Sequence, residues 1–231
     1  MIWLGIDTAN APLAVAVMNN DEILVEIKQH IKLTHSIGAM PAIEEALQRA
    51  NIEPKAINAI AVSIGPGSYT GVRIGVTIAK TLGWTLQIPV VPVSSLKILA
   101  SNIDSTTIIC PVIDARRNNV YAAIYQGNET LLDDGHYSME TVIACLESYK
   151  ASVNFVGMDA IKYEEQIKNI LGDKATIAPP AKSLPSAVEA ILLAQQMTLP
   201  MIEAVHQLVP VYKRITEAEA NWLKEQQPYD N

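Results

Sequence analysis

The sequence is poor in the side chains that build metal and redox centres. It has two cysteines, Cys110 and Cys145, and four histidines in 231 residues. The cysteines lack the spacing of a metal site or a CxxC motif. No two histidines stand three or four positions apart, the separation that places two imidazoles on one helix face for a metal. We therefore expect structural cysteines, no bound metal and no metallopeptidase centre.

Long apolar runs and basic clusters are also missing. No uninterrupted apolar run approaches the ~20 residues of a membrane span, and no basic segment leads into an apolar one at the start of the chain. No basic cluster is larger than a pair, as in Arg116-Arg117 and Lys213-Arg214, and the formal net charge is −7. Proteins that bind nucleic acid by themselves usually carry a basic stripe. We expect a soluble, cytoplasmic protein that binds neither membranes nor, unaided, nucleic acid.

The most informative segment that is present is rich in glycine. Four glycines and a proline occur between Gly65 and Gly75. The apolar run Ile57 to Ile64 predicts a buried strand before it, and helical periodicity predicts a helix from Val72 to Leu86 after it. The glycine loop then lies at a helix N-terminus, which favours an anion or a side-chain cap from Ser68 or Thr70. It matches neither GxGxxG nor a P-loop.

The chain also contains a repeat. A strand that ends in Asp7 is followed by two further strands, and the same β-meander recurs after a strand that ends in Asp114. With 49% apolar residues, a chain of 231 residues can bury a sizeable core in one large or two small domains. The duplication predicts an α/β protein of two lobes, residues 1–105 and 106–231, with the last helix able to pack back on the first lobe.

Several segments of the sequence resemble the TsaB (YeaZ) family. The similarity is close in the first half of the chain and sparse in the second. The segments that carry it are Ile6-Asp7-Thr8, the run GPGSYTGVRIG from Gly65, PVVPVSSL from Pro89, Ile113-Asp114-Ala115-Arg116, and Pro210-Val211-Tyr212-Lys213-Arg214.

This resemblance implies a fold, a role and a set of partners. The fold is a pair of actin-like lobes of the ASKHA, ribonuclease H-like type. The role is that of a non-catalytic subunit in the synthesis of tRNA threonylcarbamoyladenosine. A TsaD-like subunit transfers the threonylcarbamoyl group to the adenosine beside the anticodon, with help from a TsaE-like ATPase. The resemblance further implies a homodimer in isolation and contact with tRNA only through the complex.

In active members of that superfamily the two aspartate turns hold a nucleotide, with glycines that allow close approach to phosphate. Here Thr8-Ala9-Asn10 follows Asp7, and Ala115-Arg116-Arg117-Asn118 follows Asp114. We expect both aspartates to hydrogen-bond their loops, and no tightly bound cofactor. Contact with ATP or ADP in the assembled complex stays open, and its candidate residues are Asp7, Thr8, Gly65, Gly67, Ser68, Thr70 and Asp114.

Two helices are expected to form the partner interface. The helix after the glycine loop has two apolar stripes, one of small side chains and an opposite one with Ile74 and Ile78. We assign the isoleucines to the chain's own core and the small stripe to a partner, while a helix covered by its own chain stays an alternative. A helix from His35 to Ala50 contributes similarly. The predicted interface residues are Met40, Ile43, Leu47, Val72, Val76, Ala79 and Gly83.

Two other functions stay open. One is an ATP-dependent small-molecule kinase of the same superfamily, which needs glycine turns after both aspartates and a general base near its substrate. The other is a metallopeptidase-like protein or a chaperone. The peptidase requires a histidine pair, and His35 is followed four positions later by Ala39.

Overall fold

The computed structural model describes residues 1–29, 35–103 and 106–214. Its first half forms a five-stranded sheet in the order β3-β2-β1-β4-β5. The first three strands are an antiparallel meander, and β4 and β5 run parallel to β1. The elements are β1 (Ile2–Asp7), β2 (Leu13–Asn19), β3 (Glu22–Gln29), α1 (His35–Ala50), β4 (Ala59–Ser63), α2 (Tyr69–Leu86), β5 (Val90–Val93) and α3 (Ser95–Ser101).

The second half repeats this arrangement in the order β10-β9-β6-β7-β8. Its meander is again antiparallel, and β9 and β10 continue the sheet in parallel. The predicted α/β fold with a duplicated β-meander is therefore confirmed. The elements are β6 (Ile108–Asp114), β7 (Asn119–Gln126), β8 (Glu129–Ser138), α4 (Met139–Glu147), β9 (Val153–Val156), α5 (Glu164–Leu171), β10 (Ala175–Ile177) and α6 (Ala187–Gln195).

Each sheet receives one covering helix from the other half of the chain. Helix α3 follows the first sheet but packs on β6 and β7, where Leu96 and Leu99 join the apolar cluster of the second sheet. Helix α6 follows the second sheet but packs on β1, β2 and β4 through Ala187 and Ile191. A sheet that is apolar on both faces needs cover on both. The exchange of helices supplies it and joins the two lobes.

Other sequence-based expectations can be placed on this fold. The predicted lobe boundary at residue 105 stays a prediction, because residues 104 and 105 lie outside the described ranges. The last helix, which the sequence predicts near Thr216 to Gln226, also lies outside them. Cys110 is fully buried, and burial raises the pKa of its thiol. Within the described ranges, no helix is long and apolar enough to cross a membrane.

The assignment of the two faces of α2 was wrong. The small residues predicted to meet a partner are covered by the chain itself, whereas Ile74 and Ile78 lie partly exposed at the edge of the core. The physical reason is close packing: small side chains let the β1–β2 loop and β5 approach the helix, and larger ones would hold them away. The buried small residues are Val72, Val76, Ala79 and Gly83.

Two predicted interface residues of α1 are buried as well. Ile43 and Leu47 belong to the core cluster of the first sheet, whereas Met40 is 47% exposed. Their apolar side chains pack between α1 and the sheet, so the chain's own core already uses most of their surface. On this helix, Met40 is the predicted contact that remains available to another protein.

Gly83 provides a test of this packing. A Cβ atom at Gly83 would overlap the Val90 side chain on β5. Gly83→Ala should therefore lower the free energy of unfolding by about 1–3 kcal/mol, the usual cost of overpacking. If residue 83 instead faced solvent or a partner, the same change would stabilise the monomer by about 1 kcal/mol through helix propensity. Denaturant unfolding of the isolated chain separates the two outcomes.

The double variant Gly83→Ala with Val90→Ala is the control. Because the shortened side chain at position 90 leaves room for the new Cβ, the two changes should cost less together than the sum of their separate costs. Additive costs would show that the clash is absent.

Candidate functional site

The main cleft lies where β1, β4 and β6 end, a typical place for ligands in folds with parallel strands. It has a volume of about 580 Å³. Segments 9–11 and 66–70 form its wall on the first lobe, and segments 113–116 and 211–214 also line it. The volume is in the range of small-molecule sites.

The first aspartate is engaged by its own loop. One oxygen of Asp7, Oδ1, accepts hydrogen bonds from the Ala9 backbone N–H at 2.9 Å and from the Ser63 hydroxyl at 2.6 Å. The next side chain, Thr8, donates from its hydroxyl to the Gly71 carbonyl at 2.7 Å. Asp7 and Thr8 are both fully buried. These contacts fix the loop after β1 against the start of α2.

The glycine loop packs tightly on the same segment. A Cβ atom at Gly67 would overlap the Ala9 carbonyl oxygen, and that oxygen accepts a 2.8 Å hydrogen bond from the Ser68 N–H. The Ser68 hydroxyl caps α2 by accepting from the Gly71 N–H at 3.2 Å. Of the two predicted cap residues, the structure therefore selects Ser68. The N–H groups of Ser68 and Gly71 are used within the chain.

The second aspartate turn has the same pattern with an added cation. Asp114 Oδ1 accepts from the Arg116 N–H at 2.9 Å, and its Oδ2 lies 2.9 Å from Nζ of Lys162. Burial alone would raise the pKa of Asp114, but Lys162, the Arg116 N–H and the Tyr163 hydroxyl together hold it below the ordinary value. Burial and the neighbouring charge of Asp114 raise the pKa of Tyr163 to about 12. Asp114 is thus an ion-paired carboxylate.

The turn after Asp114 has an unusual backbone. Arg116, Arg117 and Asn118 adopt consecutive left-handed conformations, with φ of 66°, 53° and 59°. A residue other than glycine costs roughly 1–2 kcal/mol when its backbone adopts this conformation. The turn is held by a 2.9 Å bond from the Ala115 N–H to the Asn119 carbonyl. Bulky side chains thus occupy the place where the sequence lacks the expected glycine.

The predicted nucleotide contacts separate into two groups. Gly67, Ser68, Thr70 and Asp114 line the cleft. The other three are buried behind its wall, so the structure does not bring them to the cleft surface. These three are Asp7, Thr8 and Gly65.

The residues that supply most of the cleft's charge were not among the predicted site residues. Arg116, Lys213 and Arg214 line it together with Tyr212. The Arg214 guanidinium donates to the Ala115 carbonyl across the cleft at 3.4 Å. The only available signal was the pair of basic dipeptides, and nothing in the sequence places them side by side.

A second, apolar groove of about 760 Å³ lies beside α1. Met40, Ile43 and Leu47 line it from α1, and Leu82 lines it from α2. The first three are predicted interface residues, and the structure brings them together there. Among the described residues, no group of three His, Cys, Asp or Glu side chains is arranged to hold a metal ion.

Structural comparison finds known proteins that share this fold. The protein superposes on an uncharacterized Pseudomonas aeruginosa protein described as similar to peptidase YeaZ, with a TM-score of 0.77 and 27% identity over 92% of this chain and 99% of that one. It also superposes on a ROK hexokinase from Thermus thermophilus with a TM-score of 0.52, at 12% identity over 85% of this chain and 99% of that one. The second match shows a shared fold alone.

Sequence comparison is more specific. The family model described as TsaD, tRNA N6-adenosine threonylcarbamoyltransferase, matches residues 29–222. The tRNA threonylcarbamoyladenosine biosynthesis protein TsaB of Bacillus subtilis is 39% identical over 233 residues, covering 98% of this chain and 100% of that protein. An identity of this size over the full length of both proteins shows that the chain belongs to the TsaB (YeaZ) family, within the wider group that the TsaD model describes.

Proposed function

We propose that this protein is a non-catalytic subunit of a cytoplasmic complex that makes threonylcarbamoyladenosine in tRNA. A TsaD-type subunit performs the group transfer, a TsaE-type ATPase assists, and tRNA is bound through the assembled complex. The observation that carries the proposal is the 39% identity to a TsaB protein over the full length of both chains.

The geometry of the main cleft supports a non-catalytic role for this protein. Its first aspartate is buried and hydrogen-bonded to Ala9 and Ser63, and its second is paired with Lys162. A kinase of this fold needs carboxylates that reach a metal and a phosphoryl group. Here Asp7 and Asp114 instead fix the loops that follow them. We therefore propose that the cleft has no catalytic residues.

The groove beside α1 supports a role in assembly. Met40 is 47% exposed and Ile37, one turn before it, is 60% exposed, so apolar side chains project from α1 into solvent. Polar side chains such as Glu44 and Glu53 also line the groove. An apolar centre with a polar rim is the usual composition of a protein interface. We propose this groove as the surface for the TsaD-type subunit and, in isolation, for a second copy.

Reconstitution tests the proposed function directly. A TsaD-type subunit, a TsaE-type ATPase, threonylcarbamoyl adenylate and unmodified tRNA are combined with and without this protein, and the modified nucleoside is measured by chromatography. We expect sustained formation of threonylcarbamoyladenosine when the protein is present and little without it. Equal yields in both mixtures would contradict the proposal.

A charge in the groove should prevent assembly without unfolding the chain. Met40→Glu places a carboxylate where the proposed partner packs, and a buried charge without a counter-ion costs several kcal/mol. Since 1.4 kcal/mol corresponds to a factor of ten, we expect affinity for the TsaD-type subunit to fall by about a hundredfold or more. Calorimetry and light scattering measure the two associations.

Met158→Glu is the matched control. Met158 is also 47% exposed and lies in the second lobe, outside the residues that line the groove. This variant should associate like the unmodified protein. If Met40→Glu associates normally, or if both variants lose affinity equally, the groove is not the interface.

A further inference from the structure

A short 3₁₀ turn after β9, Ala160–Tyr163, places a lysine beside the second aspartate turn. Its buried residues, Ala160 and Tyr163, belong to the apolar cluster of the second sheet, so the position of the turn is fixed. Residues three apart in a 3₁₀ turn lie on the same side, and the Lys162 N–H donates to the Asp159 carbonyl at 3.0 Å. The side chain of Lys162 is therefore held next to the side chain of Asp159.

Lys162 joins two carboxylates that come from different segments of the chain. Its Nζ lies 2.9 Å from Oδ2 of Asp114 at the end of β6 and 2.7 Å from Oδ1 of Asp159. The carboxylate of Asp159 also reaches β6 directly, because its Oδ2 accepts a 3.0 Å hydrogen bond from the Asp114 N–H. Asp114 and Asp159 both line the main cleft. One ammonium group thus bridges the two acidic side chains of this lining.

The other carboxylate oxygens of this cluster have hydrogen-bond donors of their own. Oδ1 of Asp114 accepts from the Arg116 N–H at 2.9 Å and from the Tyr163 hydroxyl at 3.1 Å. All four oxygens of Asp114 and Asp159 therefore have a partner within the chain, and two of these partners are the same Nζ. A metal ion could bind both carboxylates only by displacing Lys162.

The electrostatics of the cluster favour the ammonium form of the lysine. Hydrogen bonds to Asp159 and then to Asp114 raise the pKa of Lys162 above its ordinary value. The side chain of Lys162 is 52% exposed, but its charged end is held by both carboxylates. Without this cation, two carboxylates at this separation would repel each other.

We propose that Lys162 is a tethered cation that takes the place of a divalent metal ion between Asp114 and Asp159. Carboxylate oxygens are the ligands that Mg²⁺ and Mn²⁺ prefer, and here Nζ bridges them instead. Lys162 is then a positioning residue: it fixes the second aspartate turn and keeps metal ions from these carboxylates. The proposal goes beyond the assembly role and needs no partner subunit.

Manganese binding to the full chain tests this assignment. Free Mn²⁺ has a sharp electron paramagnetic resonance signal that decreases when the ion binds, so a titration gives the Kd. A neighbouring charge shifts an ionic equilibrium by about one to three powers of ten. We therefore expect Lys162→Met, which keeps the length of the side chain and removes its charge, to bind Mn²⁺ at least about tenfold more tightly than the unmodified chain.

Three variants control for the position and the charge of the new site. Lys162→Arg keeps a cation and should bind Mn²⁺ like the unmodified chain. Lys162→Met with Asp159→Asn lacks one carboxylate and should lose the gain in affinity. Lys168→Met removes an exposed lysine that is paired with Glu164 on α5, and it should gain no affinity.

Stability provides a second measurement of the same site. Mn²⁺ at ten times its Kd should raise the ratio of folded to unfolded Lys162→Met about tenfold, compared with sodium chloride at equal ionic strength. The unmodified chain should show no such increase at the same concentration. Equal Mn²⁺ affinity in the unmodified chain and Lys162→Met would overturn the proposal. A gain in affinity that survives Asp159→Asn would also overturn it, because the ion would then bind elsewhere.

Discussion

The contact between the Thr8 hydroxyl and the Gly71 carbonyl fixes the wall on which the rest of the main cleft depends. It forms because Gly75 has no Cβ, so Thr8 can lie directly against α2. The contact places the β1–β2 loop where the glycine loop can pack on Ala9. In the joined segments, the N–H groups of Ser68 and Gly71 and the carboxylate of Asp7 all form hydrogen bonds within the chain. The side chains of Asp7 and Thr8 are therefore hydrogen-bonded inside this wall and do not line the cleft.

The same close packing explains how α2 serves two surfaces. One side of the helix, with Val76 at 2% exposure, belongs to the core. On another side, Arg73 donates a hydrogen bond to the Tyr212 hydroxyl and Lys80 donates one to the Leu208 carbonyl, so the helix binds the segment that leads to the cleft. The helix thus connects the first lobe, the cleft and the groove beside α1. In the proposed assembly through this region, Asp7 stays buried and Asp114 stays paired with Lys162.

Local features of the fold could be predicted from the sequence, because each depends on neighbouring residues. The duplicated meanders, α1 and the cap at Ser68 follow from apolar periodicity and turn chemistry. Strands β9 and β10 were not predicted, since runs of four and three residues carry no readable period. The contact between Arg73 and Tyr212 spans 139 positions. The faces of α2 were misassigned because periodicity identifies apolar stripes but not which neighbour covers each one.

We propose that this protein contributes structure and contacts to the complex, and that its two aspartates take no part in the chemistry. The most direct measurement is the rate of threonylcarbamoyladenosine formation in the reconstituted complex, with the subunit carrying both Asp7→Asn and Asp114→Asn. An asparagine oxygen can still accept the hydrogen bonds from Ala9 and Arg116. We expect a rate within about twofold of the rate of the unmodified complex. The corresponding change in activation free energy is well under the 1.4 kcal/mol that a factor of ten represents. A folded variant that still assembles but no longer supports the reaction would contradict it.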